Sequence, residues 1–141
     1  DPGLGPPAAL ACTMLKPDMI SRTILVADDD ALLRESLCDL LVDLGASPRA
    51  VGNAGSAIEV LSHHRFDLVL SDVDMPDMTG FALLGWIQAH QQVPAVLMSA
   101  RADQRMDREA HRAGAFALLS KPVAAGSIAA LIHRLFDDQT T

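Results

Sequence analysis

Two stretches decide the fold of this 141-residue chain: Ile24-Leu25-Val26-Ala27-Asp28-Asp29-Asp30 and Asp67-Leu68-Val69-Leu70-Ser71-Asp72-Val73-Asp74. In each, a short, continuously apolar run is halted by aspartates, the pattern of a strand buried on both faces. Outward from the first, Leu33, Leu37, Leu40, Leu41 and Leu44 recur at helical spacing, and Gly45 supplies a C-terminal stop. A weaker strand is expected around Arg49 to Val51, then a helix from about Gly55 to His63 with Ala57, Ile58 and Leu61 inward. Outward from the second come a loop with Pro76, a helix from Thr79 to His90 and a strand from Val93 to Met98. A helix from Asp103 to Arg112 closed by Gly114, a strand from Phe116 to Leu119 and a last helix marked by Ile128, Leu131, Ile132 and Leu135 complete the chain. Alternating strands and helices, with strands too apolar to expose a face, predict an α/β sandwich around a parallel sheet.

Half of the residues are apolar and the length suits one domain, expected at 22–138. Pro2, Gly3, Gly5, Pro6, Pro7 and Pro17 make residues 1–21 read as a flexible linker or expression remnant, and 139–141 as a tail. The chain opens on Asp1 rather than Met, as an excised or processed fragment would. A net charge of −7 argues against direct nucleic-acid binding or an anionic membrane as partner. No apolar run approaches the ~18 residues of a membrane span. Cys12 and Cys38 form neither a disulfide framework nor a metal-ligand spacing, so a reducing, cytoplasmic setting is expected. The acid is lopsided, with fifteen Asp against three Glu, which directs attention to the loops.

In a parallel sheet, ligands bind at the carboxyl ends of the strands. There the sequence brings Asp28-Asp29-Asp30 from strand one, Asp72 and Asp74 from strand three, Ser99 from strand four and Lys121 after strand five. Converging carboxylates repel strongly unless a counter-charge meets them, and hard oxygen ligands without Cys or His point to Mg²⁺ or Mn²⁺. Adding the Lys121 ammonium and the Ser99 hydroxyl describes a pocket for a phosphoryl group, with a carboxylate as nucleophile.

These motifs resemble the receiver domains of response regulators, the CheY-like superfamily of two-component signalling. The resemblance rests on Ile24 to Asp30, Asp67 to Gly80, Val96-Leu97-Met98-Ser99-Ala100, and Gly114-Ala115 through Lys121-Pro122. It covers about Thr23 to Phe136. It implies a flavodoxin-like doubly wound (βα)5 fold with a five-stranded parallel sheet in the order 2-1-3-4-5. It also implies that Asp72 is the phosphoacceptor, and that Asp28, Asp29, Asp72 and the main-chain carbonyl of Asp74 hold Mg²⁺. Ser99 and Lys121 would contact the phosphoryl group, and the Lys121-Pro122 peptide would be cis. The implied partners are a sensor histidine kinase or phosphotransfer protein, and an output domain or protein reached through the face of helix 103–112 and strand 116–119. A phosphorylation-dependent dimer is a further implication. Such a domain catalyses only its own phosphorylation and dephosphorylation and is a switch rather than an enzyme.

Two positions depart from or tune the pattern. Where the family carries Tyr or Phe, three residues before the lysine, this chain has Leu118; period-two alternation puts Phe116 on the same strand face as a partial substitute. Asp74 and Arg101, each two residues after a site residue, are expected to pair over the pocket and tune the lifetime of the acyl phosphate. Elsewhere, Asp30, Asp77 and Asp103 read as helix caps or turn formers, and Trp86, Met98 and Met106 as core. His63, His64, His90, His111 and His133 read as solvated surface without carboxylate clustering, and Arg101, Arg105, Arg108 and Arg112 as a basic stripe. Two rival functions are a degenerate receiver acting as an interaction module without phosphorylation, and a haloacid-dehalogenase-like phosphatase. Asp72-x-Asp74, Ser99 and Lys121 imitate the phosphatase motifs, but the acidic pair stands at strand one rather than after the lysine.

Overall fold

A computed structural model describes residues 22–137; the linker assigned to 1–21, with Cys12, and the tail at 139–141 lie outside the described residues. Five strands and five helices alternate. They are β1 (Thr23–Ala27), α1 (Ala31–Asp43), β2 (Ser47–Val51), α2 (Ala54–His63), β3 (Leu68–Asp72), α3 (Gly80–His90), β4 (Ala95–Ser99), α4 (Gln104–Arg112), β5 (Ala117–Ser120) and α5 (Ala125–Ile132). A wider-wound π turn, His133–Asp137, continues α5. All strand pairs are parallel and the sheet order is β2-β1-β3-β4-β5, the doubly wound order expected from the motifs.

Strand alternation divides the core in two. Leu25, Ala27, Val69 and Leu97 pack with Ala57, Leu83 and Ile87 of α2 and α3, whereas Ile24, Val26, Leu70 and Met98 pack with Leu37, Leu41, Ile128 and Leu131 of α1 and α5. β3 and β4 are buried at every position, which is why Leu68-Val69-Leu70 and Ala95-Val96-Leu97-Met98 read as continuous apolar runs before the polar strand ends. β2 corrects the expectation that no strand exposes a face: as an edge strand, its Ser47, Arg49 and Ala50 are exposed. β4 starts at Ala95 rather than Val93; Pro94 lacks an N–H, although its carbonyl accepts from Val69. Gly45 and Gly114 end α1 and α4 at φ of 92° and 101°, left-handed conformations that favour glycine.

β5 brings a second correction. It starts at Ala117, so the alternation does not reach Phe116, which packs on the α1–α5 side beneath Arg134 at 5.3 Å. Leu118 packs on the α2–α3–α4 side, and Phe116 therefore cannot stand in for an aromatic there.

Candidate functional site

The carboxyl ends of β1, β3, β4 and β5 meet at one edge of the sheet. β1 leads into Asp28, which is wholly buried, and then into exposed Asp29; β3 ends on buried Asp72 and β4 on buried Ser99. One oxygen each from Asp28, Asp29 and Asp72 fall within 4.8 Å of one another. Lys121, just past β5, reaches across with Nζ 2.8 Å from Asp28 Oδ2 and 3.2 Å from Asp72 Oδ2. The Lys121-Pro122 peptide is cis.

The charges are mutually dependent. Burial pushes the Asp72 carboxyl above the ordinary aspartate range, opposed by Lys121 and by the Asp74 N–H that donates to Asp72 Oδ1 at 3.3 Å. Burial also works against the Lys121 ammonium, but the two carboxylates outweigh it and hold the lysine above its usual range. Asp28 Oδ2 is buried and accepts no hydrogen bond among the described residues, its one close neighbour being the Lys121 ammonium of the ion pair. That orphaned acceptor and the all-oxygen donor set fit a small hard dication such as Mg²⁺ or Mn²⁺.

Local sequence builds each wall. The Asp30 N–H donates to Asp28 Oδ1 at 2.9 Å, while the Asp30 side chain caps α1 by accepting from Leu32 and Leu33. Gly80 opens α3 against β3: a Cβ there would lie 2.3 Å from the Asp72 carbonyl oxygen, so a side chain would displace the residue at the centre of the pocket. Thr79 caps α3 and Asp103 caps α4. Asp77 also caps, but a different helix from the one it precedes: its carboxylate accepts from Ala54 and Gly55 at the start of α2, at 3.0 and 2.7 Å. Those backbone N–H groups hold its carboxyl below the ordinary range.

On the β4 side, Ser99 Oγ accepts from the Arg101 N–H at 3.0 Å and the Ser99 carbonyl accepts from the Lys121 N–H at 3.0 Å. Arg101 Nη2 lies 3.0 Å from both carboxylate oxygens of Asp74, in an exposed ion pair beside the pocket. Arg101 thus stands in the loop, and the exposed basic stripe of α4 is reduced to Arg105, Arg108 and Arg112. Met98 is core on the α1–α5 side, while Trp86 and Met106 are half-buried against the core on the opposite face of the sheet. All five histidines are exposed, yet two have carboxylate neighbours that helical spacing implies: His111 beside Asp107 and His133 beside Asp137.

Sequence reasoning missed Arg34, which donates from Nη1 to the Asp28 carbonyl at 2.7 Å, and the proximity of Gly80 to Asp72. A lone arginine on an amphipathic helix and a glycine after a Thr cap carry no signal of their own; both contacts exist only once the sheet has formed.

The family model described as response regulator receiver domain matches residues 24–133. The response regulator protein FleR of Pseudomonas aeruginosa is 40% identical over 79% of this chain and 24% of its own length. The DNA-binding transcriptional regulator NtrC of Escherichia coli is 35% identical over the same shares. This chain therefore spans about a quarter of the length of these curated relatives. Among solved structures, a CheY-like receiver domain protein from Methanospirillum hungatei superposes with a TM-score of 0.77 at 26% identity, covering 84% of this chain and 96% of that one. A two-component response regulator from Clostridium difficile gives a TM-score of 0.81 at 21% identity, covering 86% and 100%.

Proposed function

The chain belongs to the response regulator receiver domain family, and from that premise we propose that it accepts a phosphoryl group on Asp72 from the phosphohistidine of a sensor histidine kinase or phosphotransfer protein. The observation that carries this reading is the buried Asp28–Lys121–Asp72 bridge, with Asp29 completing an oxygen triad. Asp28, Asp29, Asp72 and the Asp74 carbonyl would hold Mg²⁺. When bound, the metal supplies positive charge that screens the carboxylates and neutralises the phosphoryl oxygens.

The chain's own residues do the rest. An Asp72 carboxylate oxygen forms the bond to phosphorus as the phosphorus–nitrogen bond of the donor breaks and the imidazole leaves. Lys121, kept protonated by its partners, has charge to offer phosphoryl oxygens as they arrive. Ser99 Oγ, which accepts from the Arg101 N–H, can turn its own hydroxyl hydrogen to a phosphoryl oxygen. That movement draws the loop before α4 inward and biases a two-state equilibrium. The exposed Arg101–Asp74 pair beside the pocket would hinder the approach of water and slow hydrolysis of the acyl phosphate. With Leu118 in place of an aromatic, coupling from Ser99 to the α4–β5 face runs by another route or is weaker.

The receiver unit is taken as 22–138, acting in the cytoplasm as a switch without turnover of a separate substrate. Its output is a domain or protein engaged through the α4–β5 face, or a phosphorylation-dependent dimer, without direct contact to nucleic acid or membrane. The test is incubation of the chain with Mg²⁺ and acetyl phosphate. One stable phosphoryl adduct, absent in Asp72→Asn, is the expected result. Sustained turnover of phosphate esters would instead identify a phosphatase, and no adduct would identify an interaction module that works without phosphorylation.

A further inference from the structure

Asp28 is fixed at four points. Its N–H donates to the Val51 carbonyl at 3.1 Å, Oδ1 accepts from the Asp30 N–H, Oδ2 pairs with Lys121, and its carbonyl accepts from Arg34 Nη1 at 2.7 Å. That carbonyl faces β2 and stands beyond the last β1–β2 register pair, Ala27 with Val51, and no backbone N–H donates to it among the described residues. The guanidinium also adjoins the loop after β2: a Cβ on Gly52 would lie 3.3 Å from Nη1.

From this geometry we infer that Arg34 is a positioning residue for the acidic pocket, fixing the direction of Asp29. The inference rests on the reading of that pocket as a Mg²⁺ site. The carbonyl that Arg34 holds belongs to the Asp28–Asp29 peptide, which is planar. Pinning its oxygen orients the plane from which the Asp29 Cα departs. Asp29 is exposed, and its carboxylate makes no hydrogen bond or ion pair with another described residue, so the backbone direction decides whether it joins Asp28 and Asp72. Arg34 lies on α1, a rigid element with Leu37 and Leu41 buried, and transmits the position of that helix to the loop. Gly52 leaves the space that the guanidinium needs.

The sign of one measurement separates this role from a simple charge effect. Removing a cation near three carboxylates would, by Coulomb's law alone, tighten Mg²⁺ binding. Loss of a positioning contact behind a metal ligand weakens it, typically about ten-fold or more. Calorimetric titration of the full chain with MgCl₂ should therefore show about a ten-fold rise in Kd for Arg34→Ala. Arg34→Lys, which keeps the charge and a donor, should recover part of that loss. Gly52→Ala, which crowds the guanidinium without removing it, should show a smaller weakening and keeps the question open to measurement if Arg34→Ala does not fold. Unchanged or tighter binding in a folded Arg34→Ala, or in Gly52→Ala where only that variant folds, would overturn the inference. Absence of Mg²⁺ binding by the unsubstituted chain would instead overturn the reading of the pocket.

Discussion

On the β1–β3 side of the strand-end edge, Asp28 and Asp72 are buried, bridged by Lys121 and held by backbone donors from Asp30 and Asp74. On the β4–β5 side, Ser99 is equally buried, but its hydroxyl meets one backbone N–H, Arg101 is in solvent, and Leu118 is only half-buried. The first side confines charge; the second holds a buried hydroxyl by a single backbone donor. In the proposed function, chemistry would thus rest on over-determined positions, and switching on positions with one contact to lose.

The comparison breaks most visibly at Lys121. Lys121→Met leaves two buried carboxylates facing each other without compensation, and should cost about 3–5 kcal/mol by chemical denaturation. Added Mg²⁺ should recover part of that loss. Next comes Gly80→Ala, where the new methyl collides with the Asp72 carbonyl; a loss of about 1–3 kcal/mol with displaced Asp72 and Asp74 amide resonances is expected. On the signalling side the effects shrink. Leu118→Ala should cost about 1 kcal/mol, with Asp72 phosphorylation unaltered. Leu118→Tyr should change affinity for a phospho-dependent partner relative to Leu118→Ala, and equal affinities would remove any role for this position. Smallest in stability is Arg101→Ala, below about 1 kcal/mol because the pair is exposed, yet the half-life of the acyl phosphate should shorten.

The pH dependence sharpens the same contrast. Lys121 is raised, so its pairing is fully stabilising below the usual lysine value of 10.5 and is lost as pH climbs through its higher folded value. Asp72 is raised by burial, so its ionisation costs stability as pH rises from 3.8 through its folded value, and Asp72→Asn should remove that cost. Asp77 is lowered, so its capping is present above 3.8 and lost as pH falls through its lower folded value. Asp77→Ala should therefore lower stability at neutral pH and flatten the acid limb, measured by thermal unfolding across pH.

Much of this was legible in the sequence because the strands at the centre of the sheet are buried on both faces. Runs such as Val69-Leu70 and Val96-Leu97-Met98 need no partner information to be read, and the polar residues that follow, Asp72 and Ser99 among them, point to the strand-end edge. The edges were less legible. β2 carries Pro48 and Arg49 within a solvent-facing strand, and β5 starts one residue later than its apolar run, which sent Phe116 to the opposite core. Contacts that cross between elements left no local trace: Asp77 looks like a turn former until α2 arrives above it, and Arg34 looks like a helix-surface cation until Asp28 lies beneath it.

The central claim, that Asp72 is the nucleophile of this pocket, is tested most directly by borohydride trapping. The chain is treated with Mg²⁺ and acetyl phosphate, reduced with borohydride, and the site of reduction mapped by peptide mass spectrometry. Reduction of the acyl phosphate at position 72 alone, abolished by chelating Mg²⁺, is the predicted result. Reduction at Asp28, Asp29 or Asp74, or at no residue, would contradict it.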